Sequence, residues 1–94
     1  MSKLTKEARG RECQVRIPGV CNFNPETTVA AHYRLAGTCG TAIKPDDTQA
    51  AWACCACHDE VDRRTRFIDA NDARLMHAEG VMRTQEILRK EGKL

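Results

Sequence analysis

Ala53-Cys54-Cys55-Ala56-Cys57-His58-Asp59-Glu60-Val61-Asp62-Arg63-Arg64 sets two kinds of metal chemistry side by side. A Cys-x-x-Cys pair, Cys54 and Cys57, runs directly into His58, and Asp62 follows that histidine by four residues. If a helix opens at Cys57, His58 and Asp62 lie one turn apart on the same face. Thiolates suit a structural zinc, whereas nitrogen and oxygen donors suit a catalytic divalent ion. The rest of the chain must then supply the missing half of each site.

The bulk properties limit what that remainder can be. Ninety-four residues read as one domain, 1–94, with a modest core. Phe23, Tyr33, Trp52 and Phe67 are its whole aromatic supply. A chain this short and this poor in large side chains calls for a disulfide or metal staple, and six cysteines could provide either. No apolar segment follows Met1 and no run is long enough to span a bilayer. The expectation is a cytoplasmic chain without membrane contact, where thiolate–metal bonds are favoured over disulfides. A formal net charge of +2 permits nucleic-acid binding but does not argue for it.

Upstream of the opening stretch, residues 1–11 are charged and short of apolar anchors, so they read as an exposed, flexible arm with at most one helical turn. Cys13 to Cys21 reads as a small hairpin or knuckle, because Val15 and Ile17 alternate with polar residues before a Pro18-Gly19 turn. Residues 27–35 have the β-branched start of a strand, with Val29, Ala31 and Tyr33 on the core face and His32 and Arg34 pointing outward together. Residues 36–47 read as a loop with two glycines and a Lys44-Pro45 turn, at a length where a structureless loop is usually functional or mobile. Residues 49–53 form a second strand, followed by a helix through Asp62 to about Arg66. Asp69, Asn71 and Asp72 supply capping side chains for a last helix over 73–90. Its stripe of Ala73, Met76, Gly80, Val81, Thr84, Ile87 and Leu88 packs on the core or on a second copy of the chain.

Four thiolates, Cys13, Cys21, Cys54 and Cys57, could hold one tetrahedral zinc and tie the knuckle to the helix start. The alternative is that some are small buried hydrophobes. Cys39, in a glycine-flanked loop, could replace a member of the set, and Cys55 reads as a packed thiol. Cys54-x-x-Cys57-His58 also matches a haem-attachment pattern, but the carboxylates around His58 are poor company for haem. His32 opposite His58 and Asp62 resembles a one-metal hydrolytic site: a base, two ligands, and Arg34 for a phosphate. The plainer alternatives are a hydrogen-bonding strand histidine and an Asp62–Arg66 pair on one helix face. Arg63, Arg64 and Arg66 would touch a nucleic-acid backbone if this helix lay along a duplex, although most mixed charge runs are solvated faces. His77 reads as structural or exposed.

In this order the residues resemble the HNH, or ββα-metal, endonucleases, and more closely the YbcO-like nuclease family of lambdoid prophages. The resemblance runs from Arg11-Glu12-Cys13-Gln14-Val15-Arg16-Ile17-Pro18-Gly19-Val20-Cys21 through Ala31-His32-Tyr33-Arg34-Leu35, Cys39-Gly40-Thr41, Lys44-Pro45-Asp46 and Ala53-Cys54 to Cys57-His58-Asp59-Glu60-Val61-Asp62-Arg63-Arg64. It implies a general base at His32, metal ligands at His58 and Asp62, and a four-cysteine zinc clamping the motif. Three positions depart from the pattern. Ala31 stands where an aspartate or histidine often helps bind metal, and Tyr33 follows the base. The middle asparagine has no clear counterpart, with Asp46, Asp47 and Gln49 nearby.

The expectation is therefore a small α+β domain with a treble-clef-like ββα core, a structural Zn2+ and a packed C-terminal helix. Its expected activity is hydrolysis of DNA phosphodiesters with Mg2+ or another divalent ion. A catalytically inactive zinc-containing nucleic-acid-binding module and a zinc-stapled protein-interaction adaptor are the rivals.

Overall fold

The computed structural model describes residues 3–37, 39, 40, 43 and 45–94. Thr38, Thr41 and Ala42 of the expected long loop, and the Lys44 half of its Lys-Pro turn, lie outside the described residues. Along the chain the elements are α1 (Lys3–Lys6), β1 (Val29–His32), β2 (Ala50–Ala53), α2 (Cys55–Val61) and α3 (Ala70–Lys90). The two strands pair antiparallel, with Val29 opposite Ala53 and His32 opposite Ala50, and α3 packs across β2. This is the expected α+β domain: a two-stranded sheet carrying a long C-terminal helix.

Every residue of β2 is buried. Successive side chains of a strand point to opposite faces, and both faces of β2 are covered. Ala51 and Ala53 join Val15, Ile17, Ala31 and Val81 on one side, while Trp52 meets Ala8 and Leu88 on the other. The Trp52 backbone groups point away from β1, where a two-stranded sheet would leave them unpaired and costly to bury. Two other segments satisfy them. The Gln14 amide donates to the Trp52 carbonyl at 2.6 Å, and the Trp52 amide donates to Thr84 Oγ1 on α3 at 3.0 Å.

Close approach of α3 depends on a missing side chain. A Cβ built on Gly80 would lie 2.9 Å from Val15 Cγ2 and 3.2 Å from Ala51 Cβ, so only glycine lets the helix sit this near the sheet. The expected stripe is what packs: Gly80, Val81, Thr84 and Leu88 are buried against the chain's own sheet, and Ala73 is buried with them. Asp69 caps the helix by accepting from the Asn71 amide, and the helix starts three residues ahead of the expected position.

Several expectations need correction. Residues 3–11 are not a free arm. Ala8 is buried, and Arg11 bridges to Glu91 at 2.6 Å while its guanidinium lies 4.7 Å over the Trp52 ring. No β-hairpin forms between Cys13 and Cys21; the segment is an irregular knuckle in which the Ile17 carbonyl accepts from both the Val20 and Cys21 amides. β1 is shorter than 27–35 because Asn24 caps a 3-10 turn over Pro25–Thr27 that occupies the expected strand start. Val29 is exposed, not on the core face. Tyr33 still donates to the Gln49 carbonyl at 2.8 Å, one step past the strand.

α2 stops at Val61 instead of running to Arg66, and buried Glu60 provides the reason. Its carboxylate accepts from Thr65 Oγ1 (2.7 Å) and from the Phe67 and Ile68 amides (3.2 and 3.0 Å), drawing the following chain back over the helix end. Arg63 turns at a positive φ of 63° to allow this. Burial opposes the Glu60 charge, but the hydrogen bonds from Thr65, Ile68 and Phe67, with Arg63 beside them, outweigh it and hold the carboxyl below its ordinary range.

His77 is structural. It is buried on α3, and its Nε2–H donates to the Ala31 carbonyl at 2.8 Å. Burial pushes its pKa down against that hydrogen bond.

Two outcomes follow. Gly80→Ala should cost about 1–3 kcal/mol in urea denaturation, the range for overpacking a tight core contact; an unchanged midpoint would refute the close approach. The unfolded His77 takes a proton near pH 6.5 and the folded one only at lower pH, so this residue subtracts stability as pH falls below about 6.5. His77→Gln should lose that part of the acid slope, measured as the difference in Tm between the two proteins across pH 5 to 7.5.

Candidate metal centre and catalytic residues

The knuckle, the end of β2 and the start of α2 meet at four sulfurs. Sγ atoms of Cys13, Cys21, Cys54 and Cys57 all lie within 4.8 Å of one another. Cys54 and Cys21 are 3.8 Å apart, which equals the edge of about 3.8 Å for a tetrahedron of sulfurs around zinc at about 2.3 Å. Three of the four residues are buried, and none is in a disulfide.

Local structure brings the sulfurs together. Cys54 is the N-cap of α2, its Sγ accepting from the Cys57 amide at 3.4 Å. The two-residue gap of Cys-x-x-Cys thus becomes one turn with both sulfurs on the same side. On the knuckle, the Arg16 amide donates to Cys13 Sγ at 3.4 Å. Its positive φ of 54° and that of Gly19, 78°, fold seven intervening residues tightly enough to return Cys21 to Cys13.

The thiols do not share their charge evenly. Burial pushes Cys21 up to about 11, and the hydrogen bond with Cys13, reinforced by burial, drives Cys57 up. Cys13 is the one drawn down, by the hydrogen bond from Cys57 and by nearby backbone amides. Four thiolates this close repel one another, and a divalent cation is the group that would relieve the repulsion. The donor set and spacing fit zinc.

Cys39 lies outside this set. Its Sγ faces the Leu35 carbonyl at 3.7 Å. Cys55 is exposed, not packed, because it faces away from Cys54 on the first turn of α2; its Sγ accepts from Asn22 Nδ2 at 3.3 Å.

The candidate catalytic residues form two histidine–carboxylate pairs. His32, at the end of β1, has Nε2 at 2.7 Å from Asp47 Oδ1, with both side chains about a third exposed. His58 Nε2 lies 3.2 Å from Asp62 Oδ2 across one turn at the end of α2. Asp62 therefore pairs with His58 rather than with Arg66, and Arg64 approaches it at 4.0 Å. His58 and Asp62 lie near enough to His77 to act on its charge, and His77 is bonded to the residue before His32. Among the described residues, the cysteines are the only group of three or more ligand atoms within 4.8 Å.

Asp47 is the functional candidate that sequence reasoning left undecided. A 3-10 turn over Asp47–Gln49, capped by Asp46 through the Thr48 amide at 2.8 Å, aims it at His32. The Asp-Asp pair before Thr48 carried that capping signal.

The arginines divide by role. Arg34 donates to the Gly40 carbonyl at 3.1 Å and holds the loop beside β1. Arg63 turns inward to Glu60 and to the Ile68 carbonyl, while Arg64 and Arg66 are exposed.

Residues 2–93 match the family model described as "Putative nuclease YbcO". The chain is 64% identical over 92 residues to "Putative nuclease YbcO" of Escherichia coli (strain K12), covering 98% of this chain and 96% of that protein. The same figures hold for "Putative nuclease ybcO" of Enterobacteria phage 82. A solved structure described as "Structure of a putative bacteriophage protein" from Escherichia coli K-12 superposes with a TM-score of 0.83 at 58% identity, over 95% of this chain and 99% of that one.

Metal analysis of the purified protein should find one zinc per chain, retained in Cys39→Ser and Cys55→Ser but lost from Cys54→Ser and Cys57→Ser. Zinc kept by Cys54→Ser, or lost from Cys39→Ser, would refute the assigned set.

Proposed function

The chain belongs to the YbcO family, and from that membership we propose that it is a metal-dependent DNA endonuclease with an HNH-like, treble-clef-like ββα core spanning residues 1–94. The observation that carries this reading is the 2.7 Å contact between His32 and Asp47. With its proton on Nε2 donated to the carboxylate, the imidazole is fixed in orientation, and Nδ1 presents a lone pair. That is the arrangement of a general base with an orienting partner, and it supports proton abstraction from an attacking water.

His58 Nε2 and Asp62 Oδ2 are the residues that would hold the divalent cation, Mg2+ or a related ion. Their 3.2 Å separation is near the edge of about 3 Å expected for neighbouring ligands in an octahedral shell at about 2.1 Å. When bound, such an ion supplies charge stabilisation at a phosphoryl oxygen and at the leaving oxygen. Ala31 is buried and cannot contribute a ligand, so beyond His58 and Asp62 such an ion would depend on donors other than the residue before His32. Arg34 keeps guanidinium N–H groups beyond the one given to Gly40 for a phosphate or the pentavalent transition state. Exposed Arg64 and Arg66 serve the DNA backbone, whereas Arg63 is turned to Glu60 and the Ile68 carbonyl. The four cysteines hold the structural zinc. DNA processing in a phage or prophage, in the cytoplasm, is the expected setting.

A second reading has one observation in its favour: His58 and Asp62 offer only two ligand atoms. A zinc-containing nucleic-acid-binding module without activity would look the same at this site. The adaptor alternative would not use the buried α3 stripe; on that helix, a partner or second copy would have to meet exposed Leu75 and Met82.

Nicking of supercoiled plasmid over Mg2+, Mn2+, Ni2+ and Zn2+ separates these readings. Wild type should nick in a metal-dependent manner, and His32→Ala of equal zinc content should lose at least about a hundredfold in rate. Asp47→Asn should lose less, because it disturbs only the orientation of the base. Salt-dependent DNA binding without cleavage in any metal would favour the binding module.

A further inference from the structure

Beside the cysteine cluster, on the outer side of the knuckle, a groove of about 270 Å³ is lined by Glu12, Cys13, Arg16, Phe23 and Pro25. Phe23 is 79% exposed. A single exposed aromatic is ordinary. This one stands in a backbone conformation that bulky residues avoid, with φ +55°, and Arg16 in the same groove has φ +54°.

The surroundings hold Phe23 in that conformation. Asn22 Oδ1 accepts from the Asn24 amide at 2.8 Å, Asn24 Oδ1 accepts from the Glu26 amide at 3.1 Å, and Thr27 Oγ1 donates to the Asn24 carbonyl at 2.9 Å. Asn22 reaches across to Cys55 on α2, so the loop is tied at both ends. Arg16 is fixed as well: its Nε donates to the Cys13 carbonyl at 3.2 Å and one Nη to Gln14 Oε1 at 3.1 Å. The Phe23 backbone and the Arg16 guanidinium are therefore both positioned, and both side chains face solvent.

We propose that this groove is a binding site for one unpaired nucleobase of a nucleic-acid strand, stacked on Phe23 beside the Arg16 guanidinium. An exposed aromatic face and a planar cation lining one groove are the combination that takes an unstacked base, because every base offers a π-face. Pro25 provides a second apolar wall, and Glu12 an acceptor for a base amino group. A folded apolar partner would need a larger dry patch than one ring and one proline. The proposal deepens the nuclease reading and rests on it: the substrate class becomes DNA with a single-stranded or displaced nucleotide, not uninterrupted duplex.

The test uses the zinc-loaded protein without added divalent metal and three fluorescent DNAs carrying 2-aminopurine: a single strand, a duplex with one unpaired nucleotide, and a fully paired duplex. Wild type should quench the probe in the first two. Phe23→Ala should lose about tenfold in affinity for both, a modest stacking contribution, and lose the quenching. Phe23→Tyr should keep both properties, and all variants should bind the paired duplex alike. Phe23→Gly, which suits the positive φ, guards against a misfolded alanine variant and should show the same loss with zinc retained. Equal affinity and quenching in wild type, Phe23→Ala and Phe23→Gly would overturn the base site and leave the nuclease intact. So would a wild type that nicks plasmid but does not prefer the unpaired probes. A wild type that neither binds these DNAs nor nicks plasmid would overturn both.

Discussion

Cys54 concentrates the constraint on which the architecture depends. It ends β2, caps α2, and places its sulfur against Cys21 of the knuckle. Strand, helix and knuckle each have too little apolar surface to be stable alone. The sulfur cluster fixes their relative positions at one point, and a divalent ion there would add folding free energy directly. The small-domain problem set by scarce aromatics would thus be met by coordination at one end, where four sulfurs converge, and is met by close packing at the other.

That other end is the crossing of α3 over β2. Alanines in β1 and β2, with Gly80 on the helix, bring backbone near backbone, and Thr84 then reaches the Trp52 amide. Burial of small residues yields little per side chain, so hydrogen bonds to otherwise unpaired strand groups carry much of the specificity of this contact. The consequence for the site is positional. His77, locked to the Ala31 carbonyl, ties α3 to the strand whose next residue is His32.

Much of this was legible in the chain. Cys-x-x-Cys before a histidine, a second cysteine pair around Pro18-Gly19, and a helix beyond Asp69 are local patterns with local causes, and each is present. The errors lie where long-range contacts decided. Nothing in residues 1–11 announces that Arg11 lies over Trp52 and pairs with Glu91, eighty residues away. Helix periodicity through Arg66 could not reveal that Glu60, in a charge run expected to be solvated, is buried and folds the chain back over itself. Asp47 was one of three neighbours of equal standing until the turn geometry aimed it at His32.

The three histidines show how a fold and a site part company. His77 is buried and bonded to backbone, and the packing of α3 requires it. His32 and His58 sit at the ends of their elements, each against a carboxylate and each part-exposed. Pairs at that exposure contribute little to stability, since water already solvates both partners. The domain would fold nearly as well without them, whereas Cys54, Gly80 and Glu60 each meet a demand of the fold. Two oriented imidazole–carboxylate pairs are set on a strand end and a helix end that the sulfur cluster and the α3 crossing hold in place, and the fold makes little demand on either. On the proposed reading, that separation would let substitutions at His32 or Asp47 report on catalysis without first reporting on structure.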